Sequence, residues 1–176
     1  SSDASSGSDE NSGRACNASP TASSTSTRRM LHCANVGDTR VVLCRGGKGM
    51  RLSVDHKASD PAEQARVEAA GGFALRQRVM GILAVSRSLG DHALKQFVTC
   101  DPYVRSVQLG TRDSDPFVIV ACDGIWDVLE DDEAVQLVMA ATSHGQDAEK
   151  KAASELVQEA LRRGSTDNVT CMVVYL

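Results

Sequence analysis

Apolar residues along this chain fall mostly into short runs broken by Gly, Asp or Pro, and such runs read as strands. Residues 30–36 and 39–44 are two of them, and Gly37-Asp38 between them is a hairpin signal, so the two strands are expected to pair with each other. Arg45-Gly46-Gly47-Lys48-Gly49 makes the next turn and residues 50–54 a third strand. Residues 103–109 favour a strand through Val and Tyr, and 113–116 form a turn. Residues 117–122 are continuously apolar and rich in Val and Ile, the mark of a strand buried on both faces. A last strand covers 169–176.

Three stretches read as helices. Asp60-Pro61 supplies a cap and a first-turn proline, and the helix they open ends at Gly71-Gly72. Residues 131–141 place Ala134, Val135, Leu137 and Val138 on one side. Residues 147–163 repeat Ala148, Ala152, Leu156, Val157, Ala160 and Leu161 at helical spacing, with Arg162 and Arg163 at the negative end of the dipole and Gly164 as terminator. Both apolar stripes are read as core packing. Residues 73–82 read as irregular. Strands in groups joined by turns, with helices as a pair, predict an α+β class. Residues 1–28 hold almost no large apolar side chain, so burial cannot offset their ordering entropy, and the segment is expected to be a disordered Ser-rich tail, linker or insertion. The ordered portion is expected over 29–176.

Composition narrows the function classes. A net charge of -4 argues against a nucleic-acid surface, which needs clustered Lys and Arg. No stretch approaches a membrane span. The six Cys show no CxxC spacing and four of them lie inside apolar segments, which suits reduced thiols in a cytoplasmic or nuclear protein rather than a disulfide framework or structural zinc.

The chemistry is concentrated at strand ends. Asp123-Gly124 directly follows the buried run 117–122, where a carboxylate is costly to bury unless a cation or hydrogen bonds compensate it. A lone Asp-Gly is an ordinary Asx turn. Asp167-Asn168 at the start of the last strand repeats the arrangement, and two carboxylates at the ends of two buried strands make half of a hard-cation site.

Six stretches, in order, resemble the metal-dependent protein phosphatase family, the type 2C serine/threonine phosphatases. They are Ala34-Asn35-Val36-Gly37-Asp38-Thr39-Arg40, Asp55-His56-Lys57, Ala70-Gly71-Gly72, Val85-Ser86-Arg87-Ser88-Leu89-Gly90-Asp91, Asp123-Gly124-Ile125-Trp126-Asp127 and Ser165-Thr166-Asp167-Asn168-Val169-Thr170. The resemblance covers the C-terminal half of the family's catalytic domain. It implies the C-terminal part of an α-β-β-α sandwich, with antiparallel sheets flanked by helix pairs, and two divalent cations, Mg2+ or Mn2+, in a cleft. Asp123 and Asp167 match acids that bind these cations, with Asn168 and Gly124 in the same motifs. Asp38 and Asp127 match acids linked, with Asp123, to a third, weaker cation. Residues 55–79 match a flap beside the cleft, and Arg87 and Asp91 match a supporting motif that follows it. The implied reaction is hydrolysis of phosphoserine and phosphothreonine in phosphoprotein substrates by a metal-activated water, without a Cys or Ser nucleophile.

The family's N-terminal half carries an acid pair, an Asp-Gly-His-Gly-Gly stretch and a phosphate-binding arginine, and none of these is in the 176 residues. The chain is therefore expected to be inactive and unstable without that half, which is removed, lies on another chain, or is separated by the polar segment. The alternative is a catalytically dead remnant serving as a binding or regulatory module. A metal-dependent nuclease is disfavoured by the acidic balance. Without a metal, Asp38 is satisfied as a turn residue, Asp127 as the cap of the next helix, and Arg40 and Arg87 as members of ion-pair networks.

Overall fold

The computed structural model describes residues 28–143 and 148–176. The segment read as disordered therefore lies outside the described residues except for Arg28, as does Asp147, the expected start of the last helix. The fold is α+β, as expected. Strands β1 (Met30–Asn35), β2 (Arg40–Arg45) and β3 (Lys48–Arg51) come first, followed by α1 (Pro61–Ala69) and the short strands β4 (Ala74–Leu75) and β5 (Arg78–Val79). Then come β6 (Tyr103–Gln108), β7 (Phe117–Ala121), α2 (Asp123–Trp126), α3 (Asp131–Thr142), α4 (Ala148–Arg162) and β8 (Cys171–Tyr175).

One expectation is overturned. β1 and β2 do not form a hairpin: β1 pairs antiparallel with β6, from Met30 opposite Gln108 to Asn35 opposite Tyr103, while β2 lies between β3 and β7. The burial patterns give the reason. β2 is shielded on both faces and takes an interior place in the sheet β3-β2-β7-β8. β1 and β6 each bury one face only, and alternating strands match each other in a two-stranded ribbon. The hairpin that does form joins β2 to β3 through Gly46 and Gly47, with φ of +58° and +77°, the backbone of a two-residue turn that only glycine adopts freely. Two residues in the stretch read as irregular, Arg76 and Gln77, make a similar turn between β4 and β5.

The four-stranded sheet sorts its side chains by a period of two. Val42, Cys44, Phe117, Ile119 and Ala121 point to one side and pack with Ala134, Val135 and Val138 of α3 and Ala152, Leu156 and Ala160 of α4. Leu43 and Val118 point to the other side and pack with Cys33 and Leu52, with Leu31 and Val107 of the ribbon against them. The layers therefore run ribbon, sheet, helix pair. A third cluster, Ala58, Val67, Val79 and Val98, holds α1 to the β4–β5 hairpin. Asp60 caps α1 as read, its carboxylate accepting from the Ala62 and Glu63 N–H groups. The described cysteines, Cys33, Cys44, Cys100, Cys122 and Cys171, are all free thiols. Among the described residues no helix is long and apolar enough to cross a membrane.

Candidate metal centre

β7 ends at Ala121, and the chain turns at once into α2, which begins with Asp123. The turn is stapled to the loop before β8. Cys122 N–H donates to the Thr170 carbonyl at 3.1 Å, Thr170 N–H donates to the Cys122 Sγ at 3.2 Å, and the Ser165 hydroxyl donates to the Gly124 carbonyl at 2.7 Å. Gly124 is required by close approach rather than by its backbone angle: a Cβ there would overlap the Asn168 carbonyl oxygen and stand 3.4 Å from Val169 Cγ2. The two strand ends that carry Asp123 and Asp167 are thus locked together. Asp167 Oδ1 also accepts the Asn168 N–H at 2.6 Å, which fixes the direction of its carboxylate.

The electrostatics at Asp123 show what the locking achieves. Burial first, then the negative charges of Asp38, Asp127 and Asp167, push its carboxyl above the ordinary range, and Lys57 only partly opposes them. The structure brings Asp38, Asp127 and Asp167, the other acids singled out from the sequence, within electrostatic reach of Asp123. Asp127 is not the cap of the next helix: it closes α2, with its N–H donating to the Asp123 carbonyl at 2.8 Å, and its carboxylate accepts from Lys57 Nζ at 2.7 Å. Lys57 Nζ is also 3.9 Å from Asp123 Oδ2. Burial disfavours its charge, but the hydrogen bond to Asp127 and the fields of Asp127, Asp123 and Asp38 outweigh this and raise its pKa.

The donor set fits a hard cation in chemistry, since it is all carboxylate oxygen and carries negative charge in excess. It does not complete a shell: among the described residues no group of three or more His, Cys, Asp or Glu side chains is placed to hold a metal ion.

Two networks surround the site, centred on Arg40, which the sequence suggested as an ion-pair member, and on Arg87, which it also placed in a supporting motif. Arg40, at the head of β2, donates to Asp55 Oδ2 at 2.6 Å and to Asp131 Oδ1 at 2.8 Å, and its guanidinium lies 5.1 Å from the Trp126 ring centroid. Trp126 is buried, and its indole N–H donates to the Ala121 carbonyl at 2.8 Å. Arg40 thus ties the base of the flap to α2 and α3. Arg87 makes its hydrogen bonds to Glu63 of α1, 2.5 Å from Nη2 to Oε1, and to the Asp101 carbonyl at 3.0 Å. Asp91 accepts from the Ser88 hydroxyl. Both act within the lobe that carries the flap. Sequence reasoning missed the roles of Lys57 and Glu63. Their partners lie 70 and 24 residues away, and the only trace of Lys57 was its place in Asp55-His56-Lys57.

Comparison with known proteins supports the same reading. The family model described as Protein phosphatase 2C matches residues 1–169. Protein phosphatase 2C homolog 1 of Schizosaccharomyces pombe is 49% identical over 150 residues, covering 85% of this chain and 42% of the relative. The Saccharomyces cerevisiae protein of the same description is 48% identical over 149 residues, covering 85% of this chain and 50% of the relative. Among solved structures, a phosphatase from a pathogenic strain of Toxoplasma gondii superposes with a TM-score of 0.73 at 32% identity, over 82% of this chain and 47% of that one. A C. elegans sex determining protein gives a TM-score of 0.74 at 30% identity, over 83% of this chain and 36% of that one. The chain spans half or less of the length of each of these four proteins. With the motifs in order, the sheet ends stapled and the acids gathered around Asp123, the family match settles the family: the chain belongs to the protein phosphatase 2C family.

Proposed function

We propose that this chain supplies one wall of a metal-dependent serine/threonine phosphatase site and hydrolyses phosphoserine and phosphothreonine in proteins once the remaining ligands are provided. Divalent-metal dependence is general in the family. On this reading Asp123 and Asp167 hold two cations, Mg2+ or Mn2+, and Asp38 and Asp127 contribute to a third, weaker position. A bound cation pair would lower the pKa of a water and neutralise phosphate oxygens. The chain's own residues orient that chemistry. The stapled ends of β7 and β8 fix the separation of Asp123 and Asp167, the Arg40 network fixes α2, and the lobe held by Glu63 and Arg87 stands beside the site. The observation that carries the reading is the stapling of the end of β7, which leads into Asp123, to the loop that carries Asp167, in a chain of the protein phosphatase 2C family. The free thiols suit a cytoplasmic or nuclear protein.

The incomplete donor set favours a second reading, a binding or regulatory module that keeps the fold without turnover. Hydrolysis of a small aryl phosphate with Mn2+ separates the two. The chain is assayed alone and mixed with the N-terminal half of the S. pombe relative. Activity confined to the mixture and lost in Asp123→Ala or Asp167→Ala supports the shared site. Activity of the chain alone contradicts the incomplete shell, and inactivity of both supports the regulatory module.

A further inference from the structure

The lobe that carries the flap has a concave surface of its own, separate from the acids. A cleft of about 260 Å3 lies between Ile82 and Leu83 on one side and residues 91–94 on the other. Leu83 and Leu94 line it and are partly buried against the third core cluster. Ile82 is 60% exposed, and Leu75, 55% exposed, lies beside the neighbouring Gly81. Among the described residues every non-glycine position with a positive φ falls in this lobe: Arg76, Gln77, Met80 and Asp91, between 48° and 60°. Strained backbone of this kind persists only where the surrounding structure imposes it, and it gathers at binding surfaces.

The charges around the cleft decide what it suits. Arg76 and Arg78 are exposed on the β4–β5 hairpin, and among the described residues neither pairs with a carboxylate. Arg78 Nη1 donates to the Ile82 carbonyl at 2.7 Å, which sets its guanidinium at the lip of the cleft. The Asp91 carboxylate on the opposite lip is engaged by the Ser88 hydroxyl. An apolar cleft beside two unpaired guanidinium groups is complementary to a segment with an apolar side chain next to carboxylates. We propose that this cleft is a substrate subsite, which takes an apolar side chain of a phosphoprotein while Arg76 and Arg78 meet the acidic residues beside it. The inference rests on the phosphatase reading and adds a sequence preference to it. Leu83 is at most about 7 Å of chain from Val85. Val85 bridges Lys57, and Lys57 Nζ lies 2.7 Å from Asp127 Oδ1. An extended segment rises about 3.3 Å per residue, so a few residues carry a substrate from the acids to the cleft.

The test is fluorescence anisotropy of two labelled phosphothreonine peptides with the full chain, in metal-free buffer at low salt. One peptide carries Leu and Glu on both sides of the phosphothreonine, and the other carries Ser and Lys there. The parent is compared with Ile82→Glu, Arg76→Glu and Arg78→Glu, each checked for folding by circular dichroism. The parent is expected to bind the Leu and Glu peptide about tenfold more tightly, a preference lost in Ile82→Glu and reduced about threefold in each arginine variant. The small aryl phosphate cannot reach the cleft, so its turnover in the mixture with the N-terminal half of the S. pombe relative is expected to be the same for all four chains. Equal binding of the two peptides by the parent, or a preference that survives all three variants, overturns the subsite, and the phosphatase reading stands if the aryl phosphate is still hydrolysed. A preference that responds to the variants while the mixture hydrolyses nothing overturns the phosphatase reading and the substrate role with it.

Discussion

Glu63 and Asp123 are two shielded carboxylates in neighbouring parts of one chain, and their surroundings are opposite. Glu63 on α1 accepts from Arg87, from Arg66 at 3.0 Å and from the Ser86 hydroxyl at 2.7 Å. Burial raises its pKa, but hydrogen bonds from Arg87, Ser86 and Arg66 overcome this and hold the carboxyl at about 2. Asp123 is partly buried as well, yet Asp38, Asp127 and Asp167 together with burial outweigh the ammonium of Lys57, and its pKa moves up. The first carboxylate is saturated with positive charge and serves the fold. The second is left short of it, which costs stability, and on the proposed reading this is where a cation binds.

The sharpest way to break the contrast is to remove Asp123 or Asp167. In the complemented assay, either change to Ala is expected to lower turnover by more than the roughly 100-fold that loss of an outer partner of a metal ligand costs. Removing the saturated carboxylate should instead damage the fold. Glu63→Gln leaves two guanidinium groups without their carboxylate and is expected to cost about 3 kcal/mol in urea unfolding. Gly124→Ala attacks the staple between the end of β7 and the loop before β8, forcing the Asn168 carbonyl aside, with an expected loss of about 2 kcal/mol.

The smallest effect has the opposite sign. Asp123→Asn relieves the crowding of acids and should raise the stability of the metal-free chain by about 1 kcal/mol, read from the same unfolding curves. The two carboxyls also differ with pH. Glu63 has a folded pKa below its ordinary 4.5, so its contribution is present above about 4.5 and is lost as pH falls through about 2. Asp123 has a folded pKa above its ordinary 3.8, so the metal-free fold loses stability as pH rises through that value toward the raised one. Acid titration of stability in Glu63→Gln and Asp123→Asn should flatten opposite slopes.

What could be read from the sequence follows the range of the forces involved. β7, the cap at Asp60 and the Gly164 end of α4 are set by neighbours in sequence, and each appears where periodicity and turn chemistry put it. Asp123, Asp167, Asp38 and Asp127 were singled out because each stands in a motif stretch that matches the family, three of them beside an apolar run. The partner of β1 was misread because pairing is a contest among distant strands: Gly37-Asp38 permits a hairpin, but the one-sided burial shared by β1 and β6 decides the matter between strands far apart in sequence, from Asn35 opposite Tyr103 to Met30 opposite Gln108. The ion-pair partners were hidden for the same reason, since Arg40 meets Asp131 across 91 residues and nothing local in either stretch announces the other.

The most direct test of the central claim, that Asp123 belongs to a carboxylate site that binds a divalent cation, is urea unfolding of the parent chain and Asp123→Asn with and without Mn2+. The account predicts that Asp123→Asn is the more stable of the two without metal, and that Mn2+ stabilises the parent in a concentration-dependent way while leaving the variant unmoved. An Asp123→Asn chain less stable than the parent without metal, and shifted by Mn2+ as much as the parent, would contradict it.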